Sequence, residues 1–210
     1  MTITLKEKAY IQLRQLILGG EIKPGVPVTE QSLVDRLQMS RTPIRAAMER
    51  LAAEGLVNYS SNKGLSIAEM SLQRIVDFFD YRVALEGYIA RKLAARAWSE
   101  EEKSWFKDNL AAQEQCMKEL DFAGFTQADS DFHRQLVHLY DNQEMIQTMD
   151  QLQDKLYLTA LKVLRKDNSR IQQSYADHVA IAQHLMQGNA EEASRLMVDH
   201  LEYGKQILIL

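Results

Sequence analysis

Ser40-Arg41-Thr42-Pro43-Ile44-Arg45-Ala46-Ala47-Met48-Glu49-Arg50-Leu51-Ala52-Ala53-Glu54-Gly55-Leu56-Val57 reads as a helix that presents two arginines to a polyanion. Ser40 is a favourable N-cap, and Pro43 falls in the first turn, where a missing N–H costs no intrahelical bond. Ile44, Met48, Leu51 and Ala52 follow helical spacing and form one apolar stripe. That leaves Arg41, Thr42, Arg45 and Glu49 on another face. Gly55 ends the helix as a C-cap.

Two helical segments precede this stretch. Leu5, Ala9, Leu13, Leu16 and Ile17 form a stripe that stops at Gly19-Gly20. Thr29 caps a short second helix with Leu33, Val34 and Leu37 inward, and Gln38-Met39 turns the chain into Ser40. Two short helices joined this tightly, the second exposing basic residues, predict a helix-turn-helix. After Gly55 the period changes to two. Val57 and Tyr59, then Leu65 and Ile67, flank Ser60-Ser61-Asn62-Lys63-Gly64 as a hairpin with a polar, basic tip. A hairpin after a recognition helix is a wing, and Lys63 with Gly64 is expected to reach a groove or a phosphate.

Bulk composition divides the chain. It has 210 residues, 46% of them hydrophobic, enough to bury a core, and a net charge of -4. Residues 1–70 hold nine Lys or Arg against seven Asp or Glu, which leaves a net -6 for the remainder. All three prolines, Pro24, Pro27 and Pro43, lie in the first segment. These shifts place a boundary near residue 70. The polar start lacks a signal peptide's apolar region and no run is long enough to span a membrane, so a cytoplasmic protein is expected. The single cysteine, Cys116, is expected to be an inert helix residue.

From Ser71 onward the signals are helical. The expected helices are Leu72 to Trp98, Ser99 to about Leu120 with a Ser99/Glu102 capping box, Asp121 to Tyr140, Gln143 to Leu164, Ser169 to Gln187, and Ala190 to about Ile207. The fold class is therefore mainly α. A winged helix-turn-helix domain at 1–70 is followed by an all-α six-helix bundle at 71–210. The apolar end Ile207-Leu208-Ile209-Leu210 is expected to pack on the bundle or on a partner subunit.

Within the bundle, Asp129 and His133 put a carboxylate and an imidazole on one helix face, a spacing at which two side chains can hold one ion. His178 and His200 stand on later helices. Taken singly, each histidine is more often structural. His138 and His184 do not share their neighbours' faces and read as ordinary, and Asp131 points away from Asp129. Arg82 and Glu86 share a face and can pair with each other, yet facing a core they would be costly without a function. The aromatics Phe78, Phe79, Tyr81, Phe106, Phe122, Phe125, Phe132 and Tyr157 read as core.

Two motif sets together point to a family. Ser40-Arg41-Thr42-Pro43-Ile44-Arg45, Leu51, Glu54-Gly55-Leu56-Val57 and Gly64 resemble the winged helix of the GntR regulators. Arg82-Val83-Ala84-Leu85-Glu86, Asp129-Ser130-Asp131-Phe132-His133, Asn142, His178 and Met197-Val198-Asp199-His200 resemble the helical FCD sensing domain of their FadR-like branch. The resemblance implies a dimeric transcription factor, usually a repressor, on a short palindromic double-stranded DNA operator. It also implies a divalent metal site of Asp129, His133, His178 and His200, open to water or an effector carboxylate. This donor set suits zinc, with nickel, manganese or iron as alternatives.

The expected DNA contacts are Arg41, Thr42 and Arg45 on the helix and Lys63 with Gly64 at the wing. Gln31 and Arg36 on the second helix are further candidates for phosphate contact. Arg82 is the candidate residue for a small anionic effector, an organic acid. Two departures from the family pattern stand out. Gln38 replaces a usual glycine, costing about 1 kcal/mol if the turn needs positive φ, and Ala46 replaces a usual glutamate near the reading face. The alternative is a metal-dependent hydrolase or lyase built on the Asp/His set, although no nucleophile or general-base motif stands near it.

Overall fold

The computed structural model describes residues 3–23, 26–60, 64–68 and 70–210. The chain forms two compact units, Met1–Met70 and Ser71–Leu210. In the first, α1 (Leu5–Leu18), α2 (Glu30–Leu37) and α3 (Arg41–Ala53) precede β1 (Val57–Ser60) and β2 (Gly64–Ile67). Ala9, Leu13 and Ile17 of α1 meet Ile44, Ala47, Met48 and Leu51 of α3 in a closed core. Leu5, expected in the stripe, is 65% exposed, because it stands in the first turn beyond the reach of α3.

Caps explain the helix boundaries. Thr29 Oγ1 accepts the Ser32 N–H at 3.1 Å. Ser40 has the extended backbone of an N-cap, but its side chain makes no capping bond. The third helical position is Pro43, which has no N–H to donate, so half of the usual capping options are lost. At the other end, Ala53 is the last helical residue and Gly55 takes a left-handed φ of +73°, one residue past the cap. Gln38 has φ +52° and ψ 43°, so the turn does need the left-handed conformation. Its Nε2 donates to the Asp35 carbonyl at 2.6 Å, which ties the strained residue to the end of α2.

β1 and β2 pair antiparallel with Val57 opposite Ile67 and Tyr59 opposite Leu65. A third partner was not legible in the sequence: the Val28 N–H donates to the Leu65 carbonyl at 2.7 Å, and the Leu65 N–H to the Val28 carbonyl at 2.9 Å. Gly64 is what permits this. Its φ is +78°, and a Cβ there would lie 2.4 Å from the Val28 oxygen.

The second unit consists of α4 (Leu72–Ala94), α5 (Glu100–Glu119), α6 (Phe122–Tyr140), α7 (Gln143–Lys166), α8 (Arg170–Gln187) and α9 (Ala190–Ile209). α4 ends at Ala94, four residues short of the expected Trp98. Trp98 instead folds back as a buried plug, edge-on to Phe106 at 5.5 Å, while Arg96 lies over its ring and bonds Glu102 of the Ser99/Glu102 capping box. α4 and α9 lie side by side; at Gly87 an added Cβ would approach Val198 Cγ2 to 3.0 Å. Phe106, Phe125 and Phe132 are fully buried. At the C-terminal end only Leu208 is buried, and Ile209 and Leu210 are exposed. No helix among the described residues is long and apolar enough to cross a membrane.

Candidate functional site

α6, α8 and α9 converge on one buried point. α6 brings Asp129 and His133, one turn apart, and α8 and α9 bring His178 and His200. One donor atom from each of the four lies within 4.8 Å of all the others. His178 Nε2 is 3.3 Å from His133 Nε2, 3.3 Å from His200 Nε2 and 3.7 Å from Asp129 Oδ1.

The opposite nitrogen of each ring is held from behind. His133 Nδ1 meets Glu86 Oε2 at 2.5 Å, His178 Nδ1 meets Gln113 Oε1 at 2.8 Å, and His200 Nδ1 meets Asp177 Oδ2 at 3.0 Å. Each of these oxygens accepts, so each Nδ1 donates and each Nε2 turns a lone pair inward. Three lone pairs and a carboxylate oxygen aimed at one point repel one another unless a cation lies between them. This chemistry fits a divalent transition metal.

Electrostatics favour the neutral forms of His178 and His200. Burial first, and then the repulsion that a proton on His200 or His133 would exert, hold His178 well below the usual histidine range. Burial, with Arg170 and His133, pushes His200 down to about 4 despite its bond to Asp177. Burial alone would raise Glu86, but Arg82 and His133 outweigh it and hold it at about 2. The Arg82 Nε donates to Glu86 Oε1 at 2.7 Å, and both side chains are buried. Arg170 is also buried; it donates to Asp177 Oδ2 at 3.0 Å and to the His200 carbonyl at 3.1 Å. Its NH2 also lies 2.9 Å from His200 Nδ1. The carbonyl takes that proton, because Nδ1 donates to Asp177.

Arg82 and Arg170 line a small cavity of about 30 Å³ together with Asp129, His133, His200 and Phe79. Sequence reasoning picked the four donors and Arg82. Glu86 it noted only as a partner for Arg82, and it missed Gln113, Asp177 and Arg170. Asp177, next to His178 in the chain, was the one residue with a sequence signal. His138 instead bonds Asp150 and His184 bonds Asn189, both away from the donor set.

On the first unit, Arg41, Thr42 and Arg45 are exposed on α3 and Ala46 is half-buried. Arg41 donates to Gln31 Oε1 at 2.8 Å, and Arg45 pairs with Glu30 at 3.1 Å, which raises its already high pKa. Arg36 pairs with Glu21. Arg41 and Arg45 are thus both held by the first turn of α2. Lys63, expected at the wing tip, lies outside the described residues.

A winged helix-turn-helix joined to a helical bundle with a buried three-histidine, one-aspartate cluster is the build of a DNA-binding transcriptional regulator. The comparisons agree. The family model for bacterial regulatory proteins of the gntR family matches residues 5–67, and the FCD domain model matches residues 77–203. An HTH-type transcriptional regulator of Agrobacterium vitis is 33% identical over 131 residues, 61% of this chain and 77% of that protein. The Nta operon transcriptional regulator of Aminobacter aminovorans is 26% identical over 187 residues (89% and 86%), and the transcriptional repressor RspR of Escherichia coli 26% over 202 (96% and 87%).

Among solved structures, a GntR regulator from Rhodococcus sp. RHA1 superposes with a TM-score of 0.83 at 23% identity over 97% of both chains. Escherichia coli McbR/YncC superposes at 0.81 and 16% identity, over 99% of this chain and 98% of that one. These two show the fold. The chain belongs to the GntR family of bacterial transcriptional regulators and carries an FCD domain. It is a regulator, not an enzyme, and the hydrolase or lyase alternative is set aside.

Proposed function

We propose that this protein is a repressor whose operator affinity is controlled by a small carboxylate effector bound at a metal ion in the Ser71–Leu210 unit. Asp129, His133, His178 and His200 hold the metal, zinc first among the candidates, and Arg82 helps hold the effector. Arg41, Thr42 and Arg45 read and clamp the DNA, with Lys63 beside it at the wing. Gly64 shapes the wing by its close approach to Val28. The protein acts as a cytoplasmic homodimer on a palindromic operator, placing two recognition helices in successive major grooves.

The observation that carries this reading is the charge around the buried donor set. Among the described residues, three carboxylates, Asp129, Glu86 and Asp177, stand around the donor set with two guanidinium groups, Arg82 and Arg170, an excess of one negative charge in this group. Alone, that cavity repels an anion. A divalent cation reverses the sign and, when bound, supplies an open coordination position for a carboxylate oxygen. Arg82 and Arg170 then stand beside the incoming anion. Effector binding shifts the operator-competent population by a coupling free energy of about 1–3 kcal/mol, typical of allosteric proteins.

The test is a thermal-shift screen of organic acids on zinc-loaded and chelator-stripped protein. A true effector stabilises the loaded form, by about 2.7 kcal/mol at 100 times its dissociation constant, and leaves the stripped form unmoved. An acid that stabilises both forms equally would remove the metal from this account. DNA selected from a random pool then provides the operator for anisotropy titrations with and without the acid.

A further inference from the structure

α5 contributes no donor to the cluster, yet its inward face reaches it. Phe106, Asn109 and Gln113 stand at i, i+3 and i+7, and Gln113 is fully buried. Gln113 Oε1 faces His178 Nδ1 at 2.8 Å, Gln113 Nε2 donates to Asn109 Oδ1 at 2.7 Å, and Asn109 Nδ2 donates to the Ala128 carbonyl at 2.9 Å.

The direction of this chain is set at its far end. A carbonyl oxygen only accepts, so Asn109 must turn its NH2 to Ala128 and its oxygen to Gln113. Gln113 must then turn its NH2 to Asn109 and its oxygen to His178. Reversing either amide sets two acceptors against each other. Phe132 stacks on the His178 ring at 4.4 Å and 16°, and Phe106 backs Phe132 edge-on at 5.3 Å, so the ring plane is set from the same side. His133 and His200 lean on carboxylates that each have an arginine partner. His178 has the neutral amide instead.

We propose that Gln113, oriented by Asn109, is a positioning residue that locks His178 in its Nδ1–H tautomer and thereby keeps the Nε2 lone pair on the metal side. Its purpose rests on the metal reading above, but the tautomer itself needs no metal. Gln113→Leu keeps the bulk and removes the acceptor, whereas Gln113→Glu, made together with Asn109→Ala so that its second oxygen does not face Asn109 Oδ1, keeps the acceptor and adds a charge that a bound cation opposes. A packing role predicts that Leu is harmless and Glu harmful. Positioning predicts the opposite order for metal affinity.

Zinc affinity is measured by competition with a chromophoric chelator. Gln113→Leu is expected to bind about 10–100-fold more weakly, the range for residues that orient metal-ligating histidines, and the Asn109→Ala, Gln113→Glu pair to stay closer to wild type than Gln113→Leu. Gln113→Leu at wild-type affinity would overturn the proposal. Should Gln113→Leu not fold, long-range ¹⁵N–¹H spectra of the metal-free wild type decide it directly. A proton on His178 Nδ1 is expected, and a proton on Nε2 refutes the locked tautomer. A wild type that binds no zinc would sink the metal reading alone, since the spectra still report on Gln113.

Discussion

Replacing Arg82 by Met tests how the bundle tolerates its central charges. Glu86 is 0% exposed and keeps its charge because Arg82 and His133 surround it. Its pKa of about 2, against an ordinary 4.5, shows the charged form favoured despite full burial. At about 1.4 kcal/mol per pH unit, returning to the ordinary value alone removes about 3 kcal/mol. The burial penalty then acts unopposed by Arg82, so the full loss falls at about 3–5 kcal/mol, the range for breaking a buried pair from one side. For a unit of this size that is a fall in Tm of roughly 10 °C or more.

The sign with pH follows from linkage. Because the folded pKa of Glu86 lies below the unfolded one, its contribution is present above pH 4.5 and disappears as the pH falls toward 2. The gap between wild type and Arg82→Met is therefore widest near neutrality and narrows in acid. Adding Glu86→Gln to Arg82→Met removes the orphaned charge and restores part of the loss. Urea unfolding of metal-free protein followed by circular dichroism measures all three. A loss below about 1 kcal/mol for Arg82→Met, the value of an exposed pair, would refute the account of a buried, mutually dependent pair.

Other outcomes follow from the same geometry. Arg45→Ala should weaken operator binding and lower the slope of log affinity against log salt by about one; Tm should stay put, because Arg45 is exposed and its ion pair with Glu30 is worth little there, and a large drop in Tm would assign it a structural role. In metal-free protein, His200 takes up a proton in the unfolded state before it does in the folded one, with a folded pKa of about 4 against 6.5. Stability should therefore be intact above pH 6.5 and fall by about 3 kcal/mol between 6.5 and 4, with zinc delaying the fall; a flat urea midpoint across this window would contradict it. Gly64→Ala meets both a positive φ and the Val28 oxygen at 2.4 Å, so it should cost more than the roughly 1 kcal/mol of the left-handed conformation alone, and an unchanged unfolding midpoint would show that the Val28 pairing gives way freely.

Helix positions were legible in the sequence because caps, turns and apolar spacing act within a few residues. The Ser99/Glu102 capping box, the Thr29 cap and the end of α8 at Gln187 all appear where local chemistry puts them. The misses were local rules overruled by neighbours: Pro43 removes one of the two N–H groups that Ser40 could cap, and Trp98 leaves helical geometry to fill the space beside Phe106. Gln38 carries the strain that its replacement of glycine foretold.

The amino-acid sequence by itself determined the order of elements, the divided charge and, through family motifs, the four donors. The tertiary structure alone decided what stands behind those donors. Gln113 reaches His178 across 65 residues of chain, and Glu86 reaches His133 across 47. Neither spacing has a period to read, because each contact arises where two helices cross. Only the packing of α4, α5 and α8 around α6 and α9 turns four polar residues into one oriented set.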